Sequence, residues 1–270
     1  MSEMRTGTMA GRSQDWLGKT VVVTGGSSGI GAQVVRQFAE RGATVFNLDR
    51  DLRHPSDDLN NSGSSIVQIA TDVSDPESVL KALEHVRSAA GIPDVLVNAA
   101  GIYPSHTLVT MEDENWSDVL NVNLRGPFLT MRWLARAVSG DHAVDRSNLN
   151  RRVINISSGA ARTGRAGAGH YCASKAGLEM LTKVAALEFA DLGIAVNGVA
   201  PGLIATPGTA DLSPDFCEIL VQGQPVHRFG ESDEVARATL FLADPATTFI
   251  TGTVIDVDGG FMAGRPLPVA

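Results

Sequence analysis

Cysteine is scarce in this chain, which has only Cys172 and Cys217 among its 270 residues. Two thiols are too few for a disulfide framework or for a cysteine-based zinc site, so both are expected to be small buried side chains in a reducing compartment. None of the six histidines has the His-x-x-x-His spacing of a helical metal site. The sequence therefore predicts no bound metal.

Long hydrophobic runs and a surplus of basic residues are also missing. No apolar run approaches the roughly 18 residues that a membrane helix needs, and the first residues lack the apolar core of a secretory signal. We therefore expect a cytoplasmic protein without membrane contact. The net charge is −8, and this acidic balance argues against a nucleic-acid partner, which requires a basic face.

The chain instead carries a regular alternation of short apolar runs and longer helical segments. Seven runs predict strands, at 20–24, 44–49, 65–71, 94–100, 152–157, 195–200 and 253–258. Several are apolar almost throughout, which is typical of parallel strands covered on both faces. The predicted helices between them are 29–41, 76–90, 112–139, 172–191 and 232–243. This order predicts an α/β fold, a single doubly wound Rossmann domain whose seven-stranded parallel sheet carries helices on both faces.

The domain organisation follows from composition. Residues 1–17 are polar and are expected to form a flexible tail, followed by one domain over 18–270. Residues 139–152 predict a polar surface loop. Residues 203–230 are rich in proline and glycine and interrupt the strand–helix rhythm, so we interpret them as a mobile lid over a ligand at the strand ends.

A glycine-rich turn follows the first strand in the stretch VVVTGGSSGIG, residues 21–31. Gly25 permits a tight turn, Gly29 permits close approach of the backbone to a pyrophosphate, and Gly31 permits close helix–strand packing. The helix that begins near Gly29 directs its free N–H groups and the positive end of its dipole towards phosphates. A strand, a glycine turn and a helix in this order predict a dinucleotide site.

The choice of dinucleotide depends on Asp49, which ends the second strand 18 residues after Gly31. A carboxylate there accepts hydrogen bonds from both ribose hydroxyls and repels a 2′-phosphate, which favours NAD over NADP. Arg50 follows directly and can face a 2′-phosphate instead, but the glycine loop offers only Ser27 and Ser28. We therefore predict NAD, with NADP less favoured.

Two further segments are candidates for cofactor contact. Asp72 can hydrogen-bond the adenine edge, although a helix-capping Asx turn is an equally good interpretation of this residue. The stretch NAAG, residues 98–101, ends the fourth strand. Its small side chains allow the backbone to run close to a flat ligand or a neighbouring strand.

The chemical candidates lie beyond the fourth strand. Ser158 follows the fifth strand, Tyr171 comes 13 residues later, and Lys175 lies four residues after that, on the same helix face. A tyrosine hydroxyl can protonate or deprotonate a reacting oxygen, but its pKa of about 10 must be lowered for it to act as a base near neutrality. An ammonium at Lys175 and a positive nicotinamide ring would lower it. Ser158 would hold the substrate oxygen, and Asn123 would bind a water that links Lys175 to solvent.

Two aromatic neighbours of these residues have open interpretations. Tyr103 follows the NAAG stretch and is either a wall of the substrate pocket or an ordinary packed aromatic. His170, beside Tyr171, is expected at the surface or at the start of the helix rather than as a second base.

Taken together, these motifs resemble the short-chain dehydrogenase/reductase family in its short-subunit branch. The matching pieces are TGGSSGIG (24–31), DV (72–73), NAAG (98–101), Asn123, Ser158, YCASK (171–175) and PGLIAT (201–206). The resemblance spans about residues 20–260 and implies hydride transfer between a nicotinamide and a carbonyl or alcohol. It also implies that Ile204 and Thr206 contact the carboxamide end of the cofactor, and that the chain forms a homotetramer or homodimer through helices 112–139 and 172–191. Ala99 departs from the family, which often has a second asparagine there.

The candidate site is then complete. The catalytic candidates are Asn123, Ser158, Tyr171 and Lys175, and the substrate contacts are Tyr103, Ser158 and Tyr171. The cofactor-binding candidates are Gly25, Ser27, Ser28, Gly29, Ile30, Gly31, Asp49, Arg50, Asp72, Val73, Asn98, Ala99, Ala100, Gly101, Tyr171, Lys175, Pro201, Gly202, Ile204 and Thr206.

Three functions fit this set. The favoured one is an NAD-dependent alcohol dehydrogenase or ketoreductase for a small, cyclic or hydroxylated substrate. The second is a reductase of 3-oxoacyl thioesters on an acyl carrier protein or coenzyme A, which would need a basic docking face such as Arg132, Arg136, Arg151 and Arg152. The third is a non-catalytic NAD-binding regulator, which the presence of Tyr171 and Lys175 disfavours.

Overall fold

The computed structural model describes residues 16–52, 65–141, 149–209 and 221–264, together with Ser213, Cys217 and Glu218. Most of the predicted tail, the centre of the 139–152 loop and part of the 203–230 segment lie outside the described residues. Where the structure describes the chain, none of its helices has the length and apolar character of a membrane span.

Seven parallel strands form the central sheet, in the order β3-β2-β1-β4-β5-β6-β9. These strands are β1 (Thr20–Thr24), β2 (Thr44–Asp49), β3 (Ser65–Ala70), β4 (Val95–Asn98), β5 (Arg151–Ile156), β6 (Ile194–Pro201) and β9 (Val254–Val257). Each of the seven strands coincides with a predicted run to within two residues at either end, with β4 and β9 shorter than predicted and β6 one residue longer at both ends. The strand order reverses between β1 and β4, and a doubly wound sheet opens a crevice for ligands at such a switch point.

Six α-helices with defined bounds accompany the sheet in the described part of the chain. They are α1 (Gly29–Glu40), α2 (Pro76–Ala90), α3 (Asp113–Leu120), α4 (Gly126–Gly140), α5 (Gly169–Phe189) and α6 (Ser232–Ala243). Helix α2 begins as expected, because the Asp75 side chain accepts a hydrogen bond from the Glu77 N–H and Pro76 occupies the first turn.

Both faces of the sheet are buried, which explains why the strands are apolar without alternation. On one face, Val21 and Val23 of β1 join a hydrophobic cluster with α1 and α6, which includes Phe38. On the other face, Val22 joins a second cluster with α2, α4 and α5, which includes Leu134. The predicted α/β fold, a seven-stranded parallel sheet with helices on both faces, is confirmed.

The predicted helix 112–139 is interrupted in the structure. Residues Asn121–Arg125 form a π-helical turn, in which the Gly126 N–H donates to the Asn121 carbonyl five residues back. Residues 204–205 and 230–231 add a short two-stranded sheet, β7 (Ile204–Ala205) with β8 (Gly230–Glu231), inside the segment predicted as a lid. The two cysteines are partly exposed, so the expectation that both are buried is wrong.

A chain of buried polar side chains ties the strand ends to the helices beneath them. The Thr130 hydroxyl donates to Asn98 Oδ1 at 2.7 Å, and Asn98 Nδ2 donates to Asn155 Oδ1 at 2.8 Å. Asn155 Nδ2 then donates to the Thr182 hydroxyl at 2.9 Å. This chain connects α4, β4, β5 and α5, and each bond satisfies a group that has no access to water.

A buried cation lies at the opposite end of the sheet, where the strands begin. Arg152 at the start of β5 is 1% exposed, and its guanidinium donates to the carbonyls of Arg151, Pro245 and Thr247 at 3.1, 3.2 and 3.4 Å. Burial lowers the Arg152 pKa. The residue therefore fixes the turn after α6 to the sheet and is not available for the basic docking face considered above.

Asn155→Ala is expected to lower the free energy of unfolding by about 2–4 kcal/mol, because it leaves the buried Asn98 amide without its acceptor and opens a small cavity. Urea denaturation followed by circular dichroism measures this change. Thr182→Ser, which keeps the hydroxyl, is the control and should cost about 1 kcal/mol or less. Equal losses for both variants would contradict the role given to the polar chain.

Candidate active site

In the glycine turn between β1 and α1, backbone segments approach each other too closely for side chains. A side chain on Gly31 would place its Cβ 2.0 Å from the Gly25 carbonyl oxygen, and one on Gly25 would lie 2.6 Å from the Ala100 Cα. Gly25 also has a φ of +69°, where side chains are strained. The backbone alone therefore forms a cradle, and the amino end of α1 faces into it, as a pyrophosphate requires.

A cleft runs from this cradle along the carboxyl edge of the sheet. Its first half is lined by Gly25, Ser28, Gly29, Ile30, Gly31, Leu48, Asp49, Arg50, Thr71, Asp72, Val73, Ala99, Ala100, Gly101, Ile102, Tyr103, Val122, Ile156, Thr206, Pro207 and Gly208. Its second half is lined by Ile30, Ala99, Gly101, Tyr103, Ile156, Ser157, Ser158, Arg165, Tyr171, Lys175, Pro201, Gly202, Leu203, Ile204, Thr206 and Thr209. Six residues belong to both halves, so the cleft is continuous. It brings together nearly all of the predicted site residues.

Asp49 is held in place at the end of β2 by a small network. Its Oδ2 accepts from the Ser27 N–H at 3.0 Å and its Oδ1 accepts from the Asp51 N–H at 3.1 Å. The fully buried Asn47 donates from Nδ2 to the Ser27 hydroxyl at 3.0 Å. Ser27, predicted to bind cofactor, does not line the cleft and instead supports Asp49.

Asp72 forms the Asx turn that was one of its two interpretations, and its contact with adenine stays a prediction. Its Oδ1 accepts from the Ser74 N–H at 2.9 Å and from the Ser74 hydroxyl at 2.6 Å, which is an Asx turn before α2. The Ser74 hydroxyl holds the pKa of the Asp72 carboxyl below its usual range. Asp72 and Val73 also line the cleft.

Asn98 was predicted to contact the cofactor, but the structure places its side chain elsewhere. Both ends of its amide are engaged in the buried polar chain with Thr130 and Asn155. The following residues, Ala99 to Gly101, line the cleft with their backbone and small side chains. Asn98 therefore acts on the site through the position of the strand end.

Lys175 is buried at the centre of the cleft. Its Nζ donates to the Ile156 carbonyl at 2.8 Å, and lies 5.8 Å from the centre of the Tyr171 ring. Burial lowers the pKa of Lys175 to about 8. A lysine in this state still titrates near neutrality, which suits a group that exchanges protons with a neighbour.

Tyr171 has the opposite shift from the one expected. In the protein alone its pKa is raised, because burial disfavours the phenolate more than the hydrogen bond with Ser158 and the charge of Arg165 favour it. The cation expected to lower it, Lys175, is engaged with the carbonyl at the end of β5. The hydroxyl of Tyr171 is thus protonated in this state, and the reduction of a carbonyl needs a protonated donor.

Asn123 lies in the π-helical turn and is fully buried. Its Oδ1 accepts from the Ile102 N–H and its Nδ2 donates to the Ile102 carbonyl, both at 2.8 Å. A further bond at 3.2 Å reaches the Ser174 hydroxyl. The side chain therefore holds the loop after β4 against α5, and π-turns of this kind occur often at functional sites.

Tyr103 bridges the cleft and the 203–230 segment. Its ring meets the Tyr171 ring edge to face, with centroids 6.1 Å apart. Its hydroxyl also fills the space that a Cβ on Gly208 would occupy. Of the two interpretations of Tyr103, the wall of a substrate pocket agrees with this position.

His170 is fully buried in the first turn of α5, so it is not a surface residue. Its Nδ1 accepts from the Tyr171 N–H at 2.9 Å, and burial lowers its pKa. It therefore acts as a neutral group at the base of the helix.

Some cleft residues have no signal in a single sequence. Ile102, Leu203 and Arg165 lie in loops whose ends are predictable but whose course is set by distant contacts. The turn before α5 is one example: the His106 N–H donates to the Gly167 carbonyl at 2.9 Å, and a side chain on Gly167 would collide with Ser105. This packing fixes Arg165 at the cleft.

Comparisons with known proteins agree with this geometry. A family model described as enoyl-(acyl carrier protein) reductase matches residues 25–262. The 3-oxoacyl-(acyl-carrier-protein) reductase of Vibrio harveyi is 35% identical over 246 residues, 90% of this chain and 97% of that protein. The cis-4-hydroxycyclohexanecarboxylate dehydrogenase of Sinomonas cyclohexanicum is 36% identical over 252 residues, 91% of this chain and 97% of that protein.

Solved structures show the same relationship. A short-chain type dehydrogenase/reductase from Mycobacterium marinum superposes with a TM-score of 0.84 at 31% identity, covering 92% of this chain and 96% of that one. A putative gluconate dehydrogenase from Agrobacterium tumefaciens gives 0.84 at 27% identity, covering 92% and 98%.

The fold and the cleft define an oxidoreductase that works with a nicotinamide cofactor. The chain belongs to the short-chain dehydrogenase/reductase family, as its sequence motifs indicated.

Lys175→Met should alter the pH dependence of stability. The Lys175 pKa is about 8 in the fold and near 10.5 in the unfolded chain, so between these values the unfolded state binds more protons. The unfolding free energy of the natural protein should therefore rise with pH over this window, relative to Lys175→Met, by at most about 3 kcal/mol. Urea titrations at pH 7.5 to 10.5 measure it, and parallel curves for the two proteins would contradict the buried state of Lys175.

Proposed function

We propose that this chain is an NAD(H)-dependent dehydrogenase or ketoreductase of a small alcohol or ketone, in which Ser158, Tyr171 and Lys175 bind and protonate the reacting oxygen. The observation that carries the proposal is the continuity of one cleft. Ser158, Tyr171 and Lys175 line one half of it, and the glycine cradle and Asp49 line the other.

The residues fit a nicotinamide dinucleotide, since the cradle admits backbone only and Asp49 sits at the end of β2. A bound nicotinamide would supply or accept the hydride. Tyr171 would donate its proton to the carbonyl oxygen in reduction and accept the proton of the alcohol in oxidation. The Ser158 hydroxyl would donate a hydrogen bond to the same oxygen, which polarises the carbonyl.

Lys175 and Asn123 complete the proton path in this proposal. The depressed pKa of Lys175 allows it to release and recover a proton close to Tyr171. Asn123 hydrogen-bonds both backbone groups of Ile102 and so holds the loop after β4 in position. In this position Gly101 lies next to the Lys175 amino group. A water near Asn123 would link the lysine to solvent.

The preference for NAD rests on Asp49. Its carboxylate is oriented by two backbone N–H groups and lines the cleft, where it is positioned to accept hydrogen bonds from ribose hydroxyls. The adjacent Arg50 is exposed and also lines the cleft, so it is the residue that would serve a 2′-phosphate in a competing NADP complex.

A second candidate is the reduction of 3-oxoacyl thioesters, the reaction named for several relatives. Arg87, Arg132 and Arg136 line a groove between α2 and α4 together with Glu77 and Glu84. The groove therefore carries a net positive charge of one, which would favour contact with an acidic carrier protein. Absence of NADH or NADPH oxidation with acetoacetyl-CoA, in a preparation active on simple ketones, would exclude this candidate.

We also propose a homotetramer or homodimer assembled through α4 and α5. Four large apolar side chains are exposed on these helices, namely Phe128, Met180, Val184 and Leu187, at 41%, 59%, 40% and 82%. Such a patch is typical of a surface that a second subunit covers.

Tyr171→Phe should lower kcat by at least about 100-fold, because it removes the proton donor and keeps the ring. NADH binding, measured by fluorescence titration, should stay within about threefold of the natural protein. The assay is a panel of alcohols and ketones with NAD(H) and NADP(H) in parallel. Retained turnover in Tyr171→Phe would contradict the proposed role of the hydroxyl.

Asp49→Ser should change the cofactor preference. Loss of hydrogen bonds to the carboxylate and of its repulsion for a 2′-phosphate should shift the ratio of kcat/KM for NADP to that for NAD upward by about 100-fold. Asp51→Ser removes the same charge two residues away and is the matched control, with a shift below about threefold. Equal shifts in the two variants would show a general charge effect and exclude Asp49 as the selector.

A further inference from the structure

Arg165 stands out among the residues that line the reaction half of the cleft. Its guanidinium has no hydrogen-bond or ion-pair partner among the described residues. The neighbouring Arg162 shows the contrast, since it is bonded to both oxygens of Glu179 and to Asp256. One arginine of this loop therefore has a structural role, and the other leaves its charge open to the cleft.

The position of Arg165 is set by its backbone. The Ala168 N–H donates to the Arg165 carbonyl at 3.1 Å, which closes a turn directly before α5. That turn is bonded to the loop after β4 through His106 and Gly167. Arg165 also lies close enough to Tyr171 for its charge to favour the phenolate. A group bound by Arg165 would thus sit beside the reacting oxygen.

The charges along the cleft are unevenly distributed. The cradle half is lined by the carboxylates of Asp49 and Asp72 and by one cation, Arg50. The reaction half is lined by two cations, Arg165 and Lys175, and by no carboxylate among the described lining residues. The Lys175 ammonium is already bonded to the Ile156 carbonyl, which leaves Arg165 as the available cation. This local positive charge occurs in a chain whose net charge is −8.

We infer that Arg165 binds the carboxylate of the substrate, so that the natural substrate is a small hydroxy or oxo acid whose carbonyl or hydroxyl reaches Ser158 and Tyr171. A guanidinium binds a carboxylate through two parallel hydrogen bonds, which orients the ligand as well as attracting it. Tyr103 and Leu203 supply apolar walls for the carbon skeleton between the two polar ends. This inference rests on the proposed function and narrows it.

A carboxylate suits the position better than the phosphate of a pantetheine thioester. In such a thioester the whole pantetheine arm separates the phosphate from the acyl carbon that reacts. Arg165 and Tyr171 line the same half of the cleft. A substrate group bound by Arg165 therefore lies near the carbon that reacts. Binding of a thioester phosphate by Arg165 is therefore one outcome that the experiment can give.

The test compares 4-oxocyclohexanecarboxylate with its methyl ester, which lacks the negative charge and carries one additional methyl group at the distal end. The natural protein should show a kcat/KM at least about tenfold higher for the acid. Arg165→Gln should lower kcat/KM for the acid by about 10- to 100-fold, mainly through KM, and leave the ester within about threefold. Arg165→Lys should recover part of the loss. Arg237→Gln, which removes the same charge from helix α6, is the control and should behave as the natural protein.

A binding measurement separates the failure of this inference from the failure of the proposed function. Cyclohexanecarboxylate should raise the melting temperature of the natural protein saturably, and Arg165→Gln should abolish that rise. If neither oxo compound is turned over but this difference holds, the proposed reaction is wrong and Arg165 still binds carboxylate. Equal binding by both proteins, or equal loss of acid and ester turnover in Arg165→Gln, would overturn the inference. So would a loss confined to acetoacetyl-CoA, which would assign Arg165 to a phosphate.

Discussion

The hydrogen bond from the buried Lys175 amino group to the Ile156 carbonyl is the contact on which the geometry of the site depends. It fixes the first turns of α5 against the end of β5, and thereby sets Tyr171 and Ser158 on the same side of the cleft. Burial makes the ammonium costly and lowers its pKa to about 8. The same burial therefore positions the start of α5 and lowers the pKa of the lysine, as the proposed proton exchange requires.

Two other sets of hydrogen bonds hold the elements that carry Lys175 and Ile156 in position. The chain of Thr130, Asn98, Asn155 and Thr182 aligns the ends of β4 and β5 with the helices below them. Asn123 ties the loop after β4 to the π-helical turn. Each of these bonds is buried and directional, so small displacements leave polar groups unsatisfied. These hydrogen bonds therefore add directional constraints on the cleft to those of the apolar core.

The fold was largely predictable because its signals are local. Continuous apolar runs and one glycine turn determine a parallel sheet, and the spacing of Tyr171 and Lys175 determines a shared helix face. The remaining features depend on partners distant in sequence. The Ser27 N–H donates to Asp49, and the Asn98 amide is hydrogen-bonded within the core. The π-turn follows from the bonds of Asn123 to Ile102, which no periodicity of residues 112–139 encodes.

The buried guanidinium of Arg152 has a consequence for how this molecule can change. It ties the start of β5 to the turn after α6, whereas the other end of the same six-residue strand opens on the cleft. About 17 Å of strand separates the two ends. Changes at such a distance act on stability almost independently. The start of β5 is thus held by the hydrogen bonds of Arg152. The loops at the other end of the strand can therefore change their ligand contacts without destabilising that start.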